Sequence, residues 1–322
     1  MKKTQLTILA DPDQELPYNI DEIRHLTETR VCNSKNLADS LDSTQILLIW
    51  DFFSGALKQA WPHAAELRWV HIAAAGVDTV LFDELRRSPV ELTNAHGIFD
   101  RPIAEFVLAS ILAHDKQLYT SKSLQEQHIW RHRELTLTKT QNVLIIGTGG
   151  IGREVAKLLR AVGITVRGVG RTARDGDPDF DTITASANLI LEVGWADHVV
   201  LAAPLTDQTR HLVDRKVLDA MKSTAHLINI GRGQLVNERD LVDALRESAI
   251  AAASLDVFWE EPLPFDSPLW TMSNVHISAH MCGDVTGWRN SLADQFLANL
   301  RILESGGEVP NRIDKQAGYL RT

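Results

Sequence analysis

The chain has 322 residues, enough for two domains at the usual ~100–200 residues each, and this excludes a single small binding module. Hydrophobic residues make up 44% and charged residues 23%, the balance of a globular chain with a substantial core, not a disordered, collagenous or coiled-coil one. A formal net charge of −9 repels nucleic acid and anionic membrane, and the main basic run, Trp130-Arg131-His132-Arg133, is too short to reverse that.

Only Cys32 and Cys282 are present. That usage fits a reducing compartment and excludes a disulfide scaffold or a cysteine-rich zinc site, so a cytoplasmic location is expected. Met1-Lys2-Lys3 precedes an apolar run, Leu6 to Ala10, that ends abruptly in Asp11-Pro12-Asp13, so no signal peptide is read there. No stretch approaches the ~20 apolar residues of a membrane span.

Short apolar, β-branched runs alternate with amphipathic stretches, the pattern of parallel sheets covered on both faces. In the first hundred residues strands are expected near Leu6–Leu9, Ile46–Trp50, Trp69–Ile72 and Glu91–Asn94. Asp100-Arg101-Pro102 then has the look of an N-cap acid with a first-turn proline, opening one long helix over Ile103–Leu118. Val107, Ile111 and Leu118 would fall on one side with Leu108 and Leu112 beside them, a breadth suited to burial against another domain or subunit. A second series of six strands follows: Val143–Ile146, Thr165–Val169, His198–Ala202, Leu227–Ile230, Leu255–Val257 and Val275–Ser278. The last clear helix is Ser291 to Leu303, with Leu292, Phe296, Leu300 and Leu303 on one face.

Gly147-Thr148-Gly149-Gly150-Ile151-Gly152 fits G-x-G-x-x-G, with a strand before it and helical spacing after it. In that context Gly147 permits the tight turn, Gly149 lets the backbone approach a pyrophosphate, and Gly152 allows close helix–strand packing. The helix N-terminus would face the anion. Eighteen residues past Gly152, where an NAD-selective site carries an acid for the ribose 2′-hydroxyl, stands Gly170, followed by Arg171, Thr172 and Arg174. These could bind a 2′-phosphate, so NADP(H) is expected over NAD(H), with NAD(H) possible.

Three later segments lie just past strand ends, where ligands bind in doubly wound sheets: Ile228 to Gly233 with Arg232, Leu255 to Pro262 with Glu260 and Glu261, and Ile277 to His280. Together they offer an arginine, a carboxylate and a histidine from three consecutive strands, and their recurrence beside a nucleotide turn favours a functional over a packing role.

The sequence resembles the D-isomer-specific 2-hydroxyacid dehydrogenases over nearly its whole length. The resemblance is carried by Leu67-Arg68-Trp69-Val70, Ala74-Ala75-Gly76-Val77-Asp78, Asn94-Ala95-His96-Gly97 with Ile103-Ala104-Glu105, the glycine turn, Ala203-Pro204-Leu205-Thr206 and the three strand-end segments. Pro310-Asn311-Arg312-Ile313-Asp314 and Gly318-Tyr319 look like the tail of the glyoxylate/hydroxypyruvate reductase branch.

The resemblance implies two doubly wound parallel-sheet domains, a flavodoxin-like substrate domain (1–100 and 288–322) and a Rossmann dinucleotide-binding domain (101–287), with a cleft between them. It also implies a homodimer formed through the long helix and the arm after it. The implied activity is NADPH-dependent reduction of a small 2-keto acid to the D-2-hydroxy acid. Arg232 would orient and polarise the substrate, His280 would act as general acid/base, and Glu261 would accept from the other ring nitrogen and favour the imidazolium. The family places its acid directly before the proline, which selects Glu261 over Glu260. Distantly related formate dehydrogenases carry glutamine there, so formate oxidation is not expected. The amides of Ala75, Gly76 and Val77 would cradle the substrate carboxylate. Ala203, Pro204, Thr209, Ile230, Gly231, Asp256, His280 and Gly283 would join the glycine turn around the cofactor.

A cofactor-sensing corepressor on the same fold is the alternative, although no peptide-docking extension is visible. Trp50 and Trp288 either line the pocket or pack. His128 and His132 would share a helical face but have no third ligand at a familiar spacing, so no metal site is expected. Cys282 reads as a packing residue, because a nucleophilic role would need its own base.

Overall fold

Parallel strands alternate with helices to build two sheets in the computed structural model, which describes residues 3–320; Met1 and Lys2 of the basic amino-terminal run lie outside the described residues. The chain divides into two units, residues up to Phe99 together with those from Val285 onward, and Asp100–Asp284.

The first unit has five strands: β1 (Gln5–Leu9), β2 (Glu28–Cys32), β3 (Ile46–Ile49), β4 (Trp69–Ile72) and β5 (Glu91–Asn94). They pair in parallel in the order β2-β1-β3-β4-β5, a flavodoxin-like sheet whose order reverses between β1 and β3. The central strands β3 and β4 are buried at every position, as a sheet covered on both faces demands. The closing helix, Trp288–Glu304, packs in this unit, stacking Phe296 on Trp69 with ring centroids 5.4 Å apart. The strand missing from the sequence reading is β2. As an edge strand with Glu28, Arg30 and a 40%-exposed Val31, it shows no buried alternation to detect.

The second unit has seven strands: β6 (Asn142–Ile146), β7 (Thr165–Gly170), β8 (Ile183–Ala185), β9 (His198–Leu201), β10 (His226–Asn229), β11 (Ala252–Leu255) and β12 (Val275–Ile277). All run parallel in the order β12-β11-β10-β9-β6-β7-β8, the dinucleotide-binding arrangement with one strand added and a reversal between β6 and β9. Here again the missed strand, β8, is a short edge strand of three residues. Because every strand is parallel, the segments after β6, β10, β11 and β12 all leave one edge of the sheet. That edge holds the candidate site.

The expected single helix over Ile103–Leu118 is instead two, Asp100–Asp115 and Leu118–Glu126. Gln117 between them is left-handed at φ 49°, which breaks the ladder. Helix begins at Asp100 itself, so this acid sits in the first turn, not before it. The buried side is Ile103, Ala104, Val107 and Ile111, packed on the helix Gly150–Ala161 of the same unit, whereas Leu112 and Leu118 are exposed. No helix among the described residues is long and apolar enough to cross a membrane.

Candidate active site

The glycine turn is shaped by two kinds of constraint. Gly147 has φ 109°, and a Cβ there would lie 2.5 Å from the Ala202 carbonyl carbon, while a Cβ on Gly152 would lie 1.9 Å from the Gly147 oxygen. Both glycines are therefore demanded by the protein's own packing. At Gly149 a Cβ would meet nothing within 4 Å. Its lack of a side chain leaves open space at the N-terminus of the helix Gly150–Ala161, and no side chain caps that end. Open space, orphan amides and the positive end of a twelve-residue helix suit a pyrophosphate.

Beyond β7, a Cβ on Gly170 would crowd the Thr148 hydroxyl at 3.1 Å, so an acidic side chain has little room there. Arg174 donates to Thr148 Oγ1 at 2.8 Å, and its amide pairs with the Ile183 carbonyl. This ties the basic segment to the glycine turn, with Arg171 and Thr172 exposed beside it. Sequence reasoning missed the anchor of the following segment: Arg153, in the first turn of the helix, bonds both oxygens of Asp177 and reaches Asp179. The Arg153 guanidinium holds Asp177 below the usual carboxylate range. Arg153 and Asp177 lie 24 positions apart, a separation that no local spacing rule connects.

On the other side of the sheet, β10, β11 and β12 are neighbours and carry Arg232, Glu261 and His280 just past their ends. His280 Nδ1 lies 2.7 Å from Glu261 Oε2, both side chains about 30% exposed, at 30% and 29%. The other oxygen, Oε1, accepts from the Phe258 amide at 2.9 Å. Burial pushes Glu261 up, but the His280 and Phe258 hydrogen bonds, with the positive charge of Arg232, outweigh it and hold the carboxyl below its ordinary range. Glu260 is exposed.

Neighbouring groups set each of the three. Asn229 shapes the turn before Arg232, donating to the Arg232 carbonyl at 3.0 Å and accepting from the Gly231 amide at 3.2 Å. A Cβ on Gly233 would overlap the Phe258 backbone at 1.9 Å, so only glycine lets these two segments touch. His280 occupies the left-handed region at φ 51°, costly for a residue with a side chain. Asp256 holds it there: its carbonyl accepts from the His280 amide at 2.8 Å, and its carboxylate accepts from the Ser278 hydroxyl and from the amides of Met281 and Cys282. The Asp256 side chain, expected at the cofactor, is wholly buried and anchors the His280 segment.

The remaining expected residues fall around the same edge. Ala203 is buried after β9, and Thr209 closes the exposed Pro204 loop by donating to the Pro204 carbonyl at 2.7 Å. Ile230 is buried after β10, and Gly283 is buried just beyond Cys282. Burial and the adjacent Asp256 push the Cys282 thiol well up, away from nucleophilic use. His128 and His132 lie outside any helix and share no face. No group of three or more potential metal ligands occurs among the described residues.

In the first unit, Ala75, Gly76 and Val77 follow β4. Among the described residues, the amides of Ala74, Ala75, Gly76 and Val77 donate to no protein acceptor, giving four consecutive N–H groups available to an anion. Trp50 packs, buried and donating to the Glu15 carbonyl, while Trp288 is half-buried against Phe52 and Phe99.

A doubly wound sheet with a phosphate-ready glycine turn and an arginine, carboxylate and histidine at one edge defines a dinucleotide-binding protein of the dehydrogenase type. The family model for the D-isomer specific 2-hydroxyacid dehydrogenase NAD binding domain matches residues 108–282. Glyoxylate reductase from Thermococcus gammatolerans is 30% identical over 80% of this chain and 79% of its own. Glyoxylate/hydroxypyruvate reductase A HPR2 from Arabidopsis thaliana is 31% identical over 79% of this chain and 80% of its own. Among solved structures, an NADPH-dependent glyoxylate/hydroxypyruvate reductase from Sinorhizobium meliloti in complex with NADP and sulfate matches 98% of this chain and all of that one, with a TM-score of 0.82 and 25% identity. The chain belongs to the D-isomer specific 2-hydroxyacid dehydrogenase family.

Proposed function

We propose that the protein is an NADPH-preferring reductase of a small 2-keto acid, such as glyoxylate, hydroxypyruvate or a pyruvate-like compound, giving the D-2-hydroxy acid. The observation that carries this reading is the Glu261–His280 pair at 2.7 Å, past the ends of the two strands that follow the Arg232 strand in the sheet, at the same sheet edge as the glycine turn. The residues fit the cofactor: Gly149 leaves room for its pyrophosphate, and Arg171, Thr172 and Arg174 offer donors to a 2′-phosphate where an NAD-selective acid is lacking. The bound nicotinamide supplies the hydride that reduces the keto carbon.

Glu261 engages Nδ1 of His280, which assigns the proton for the keto oxygen to Nε2. As that oxygen gains charge, His280 releases its proton to it; in the oxidation direction the same nitrogen takes the proton back. Arg232 orients the substrate and stabilises the developing oxyanion through its planar fork. The carboxylate is assigned to the amides of Ala75, Gly76 and Val77. The Sinorhizobium enzyme's NADP complex and the reductase names of the relatives support the same cofactor and substrate class. The exposed aromatic and aliphatic side chains Ile129, Trp130, Leu135 and Leu137 on the segment after the helix Leu118–Glu126 support assembly as a homodimer.

Steady-state assays with NADPH and NADH against a panel of 2-keto acids test the proposal. Turnover with kcat/KM higher for NADPH is expected. Tight cofactor binding with negligible turnover would point instead to the corepressor-like reading, and NADH binding as tight as NADPH would remove the cofactor preference.

A further inference from the structure

We infer that Asn94 is the positioning residue of the substrate-carboxylate cradle, an inference that rests on the functional reading above. β4 and β5 pair with Ile72 opposite Asn94, so the segment leaving β5 runs beside Ala73 to Val77. Two bonds join them. The Ala95 amide donates to the Ala74 carbonyl at 2.9 Å, and the Asn94 side-chain amide, Nδ2, donates to the Ala75 carbonyl at 2.6 Å. Together they fix two consecutive carbonyls of the loop toward β5, leaving the amides of Ala74 to Val77 without protein acceptors among the described residues. Consecutive amides left without acceptors can donate to an anion, and a carbonyl turned among them would repel the carboxylate.

Fold stability alone does not account for this asparagine. Asn94 is 6% exposed, and its Oδ1 is buried with no hydrogen-bond partner among the described residues. A buried acceptor left unmade costs about as much as one neutral hydrogen bond returns, so an apolar residue of similar size would serve the core equally well. What the apolar residue would lack is the single donor to Ala75.

The test uses the full-length protein, Asn94→Asp and Asn94→Ala. The aspartate keeps the shape but replaces the donor with an acceptor, and the alanine removes both. Both variants should raise the KM for the 2-keto acid about tenfold, with kcat within about twofold of wild type and NADPH affinity unchanged, because a lost cradle weakens binding and not the chemistry. In Asn94→Asp the KM should recover as the pH is lowered and the protonated carboxyl donates again, a recovery that Asn94→Ala cannot show. Calorimetric binding of oxamate to the NADPH-loaded protein gives a readout independent of turnover, and its Kd should weaken about tenfold in both variants. Unchanged KM and oxamate affinity in Asn94→Ala, or a pH-independent KM in Asn94→Asp, would overturn the inference. A wild-type protein that binds oxamate but reduces no 2-keto acid would defeat the functional reading, and the oxamate affinities of the variants would still decide the role of Asn94.

Discussion

Histidines stand at both edges of the seven-stranded sheet, and the two sets are held in opposite ways. At the edge where the strands end, His280 is partly exposed and faces the carboxylate of Glu261. At the edge where they begin, His198 and His226 open β9 and β10, are buried to 1% and 0% exposure, and form a chain from Asp115 to Ser254. His198 Nε2 lies 3.2 Å from Asp115 Oδ1, the two Nδ1 atoms are 3.3 Å apart, and His226 Nε2 lies 2.9 Å from Ser254 Oγ. The two hydrogen bonds of His226 fit a neutral ring protonated on Nδ1: Nδ1 donates to His198 Nδ1, and Nε2 accepts from the Ser254 hydroxyl. His114 stacks on His226 with centroids 4.5 Å apart, and His276 on Tyr119 at 3.5 Å. Burial, reinforced by neighbouring imidazoles, pushes His226 and His114 down and takes His276 to about 4. One residue type is thus paired with a carboxylate at one edge, where we propose proton transfer, and packed in the interior at the other. The difference lies in solvent access and the placement of a carboxylate.

The sharpest test of this contrast pairs two alanine variants. His280→Ala should lower kcat by about 10²–10⁴-fold while leaving the thermal midpoint near that of wild type. His226→Ala should do the reverse, costing about 2–4 kcal/mol of stability through a cavity and two orphaned partners, Ser254 and His198, with kcat retained in the folded protein. Equal effects of both variants on turnover would erase the distinction between the edges.

The pH dependence of stability should come next. The folded-state values of His114, His226 and His276 lie below the unfolded value near 6.5, so below that pH the unfolded chain binds more protons. Their stabilisation is complete above about pH 6.5 and is lost as the pH falls toward the folded values, about 4 for His276. His71, a buried histidine of the first unit held near 3, acts in the same direction. Urea midpoints at pH 7.5 and 5 should show the fall, and a flat profile would contradict the neutral cluster. The smallest expected effect is that of Arg174→Ala, about tenfold in NADPH affinity with NADH affinity and stability nearly unchanged, measured by fluorescence titration.

What the sequence made legible was local. The glycine turn announces itself because its G-x-G-x-x-G spacing directly joins a strand to a helix. The strand-end segments stand out because apolar runs precede them. β2 stayed hidden because only one of its five residues is buried, and β8 because it is three residues long with only Ile183 buried. The break at Gln117 was invisible because the apolar spacing continues through it and only the backbone angle changes. The histidine cluster joins positions 114, 198, 226 and 276, which no spacing rule connects. Asp256 and Asn94 likewise act through bonds to the neighbouring segments that carry His280 and Ala75.

The most direct test of the proposed reaction follows the hydride itself. NADPH carrying two deuteriums at C4 of the nicotinamide, incubated with wild-type protein and hydroxypyruvate, should yield glycerate of D configuration with one deuterium at C2, and the His280→Ala protein should form it at least a hundredfold more slowly. Glycerate without deuterium at C2, or label transferred equally fast by both proteins, would contradict the assignment of hydride reduction with His280 as the proton donor.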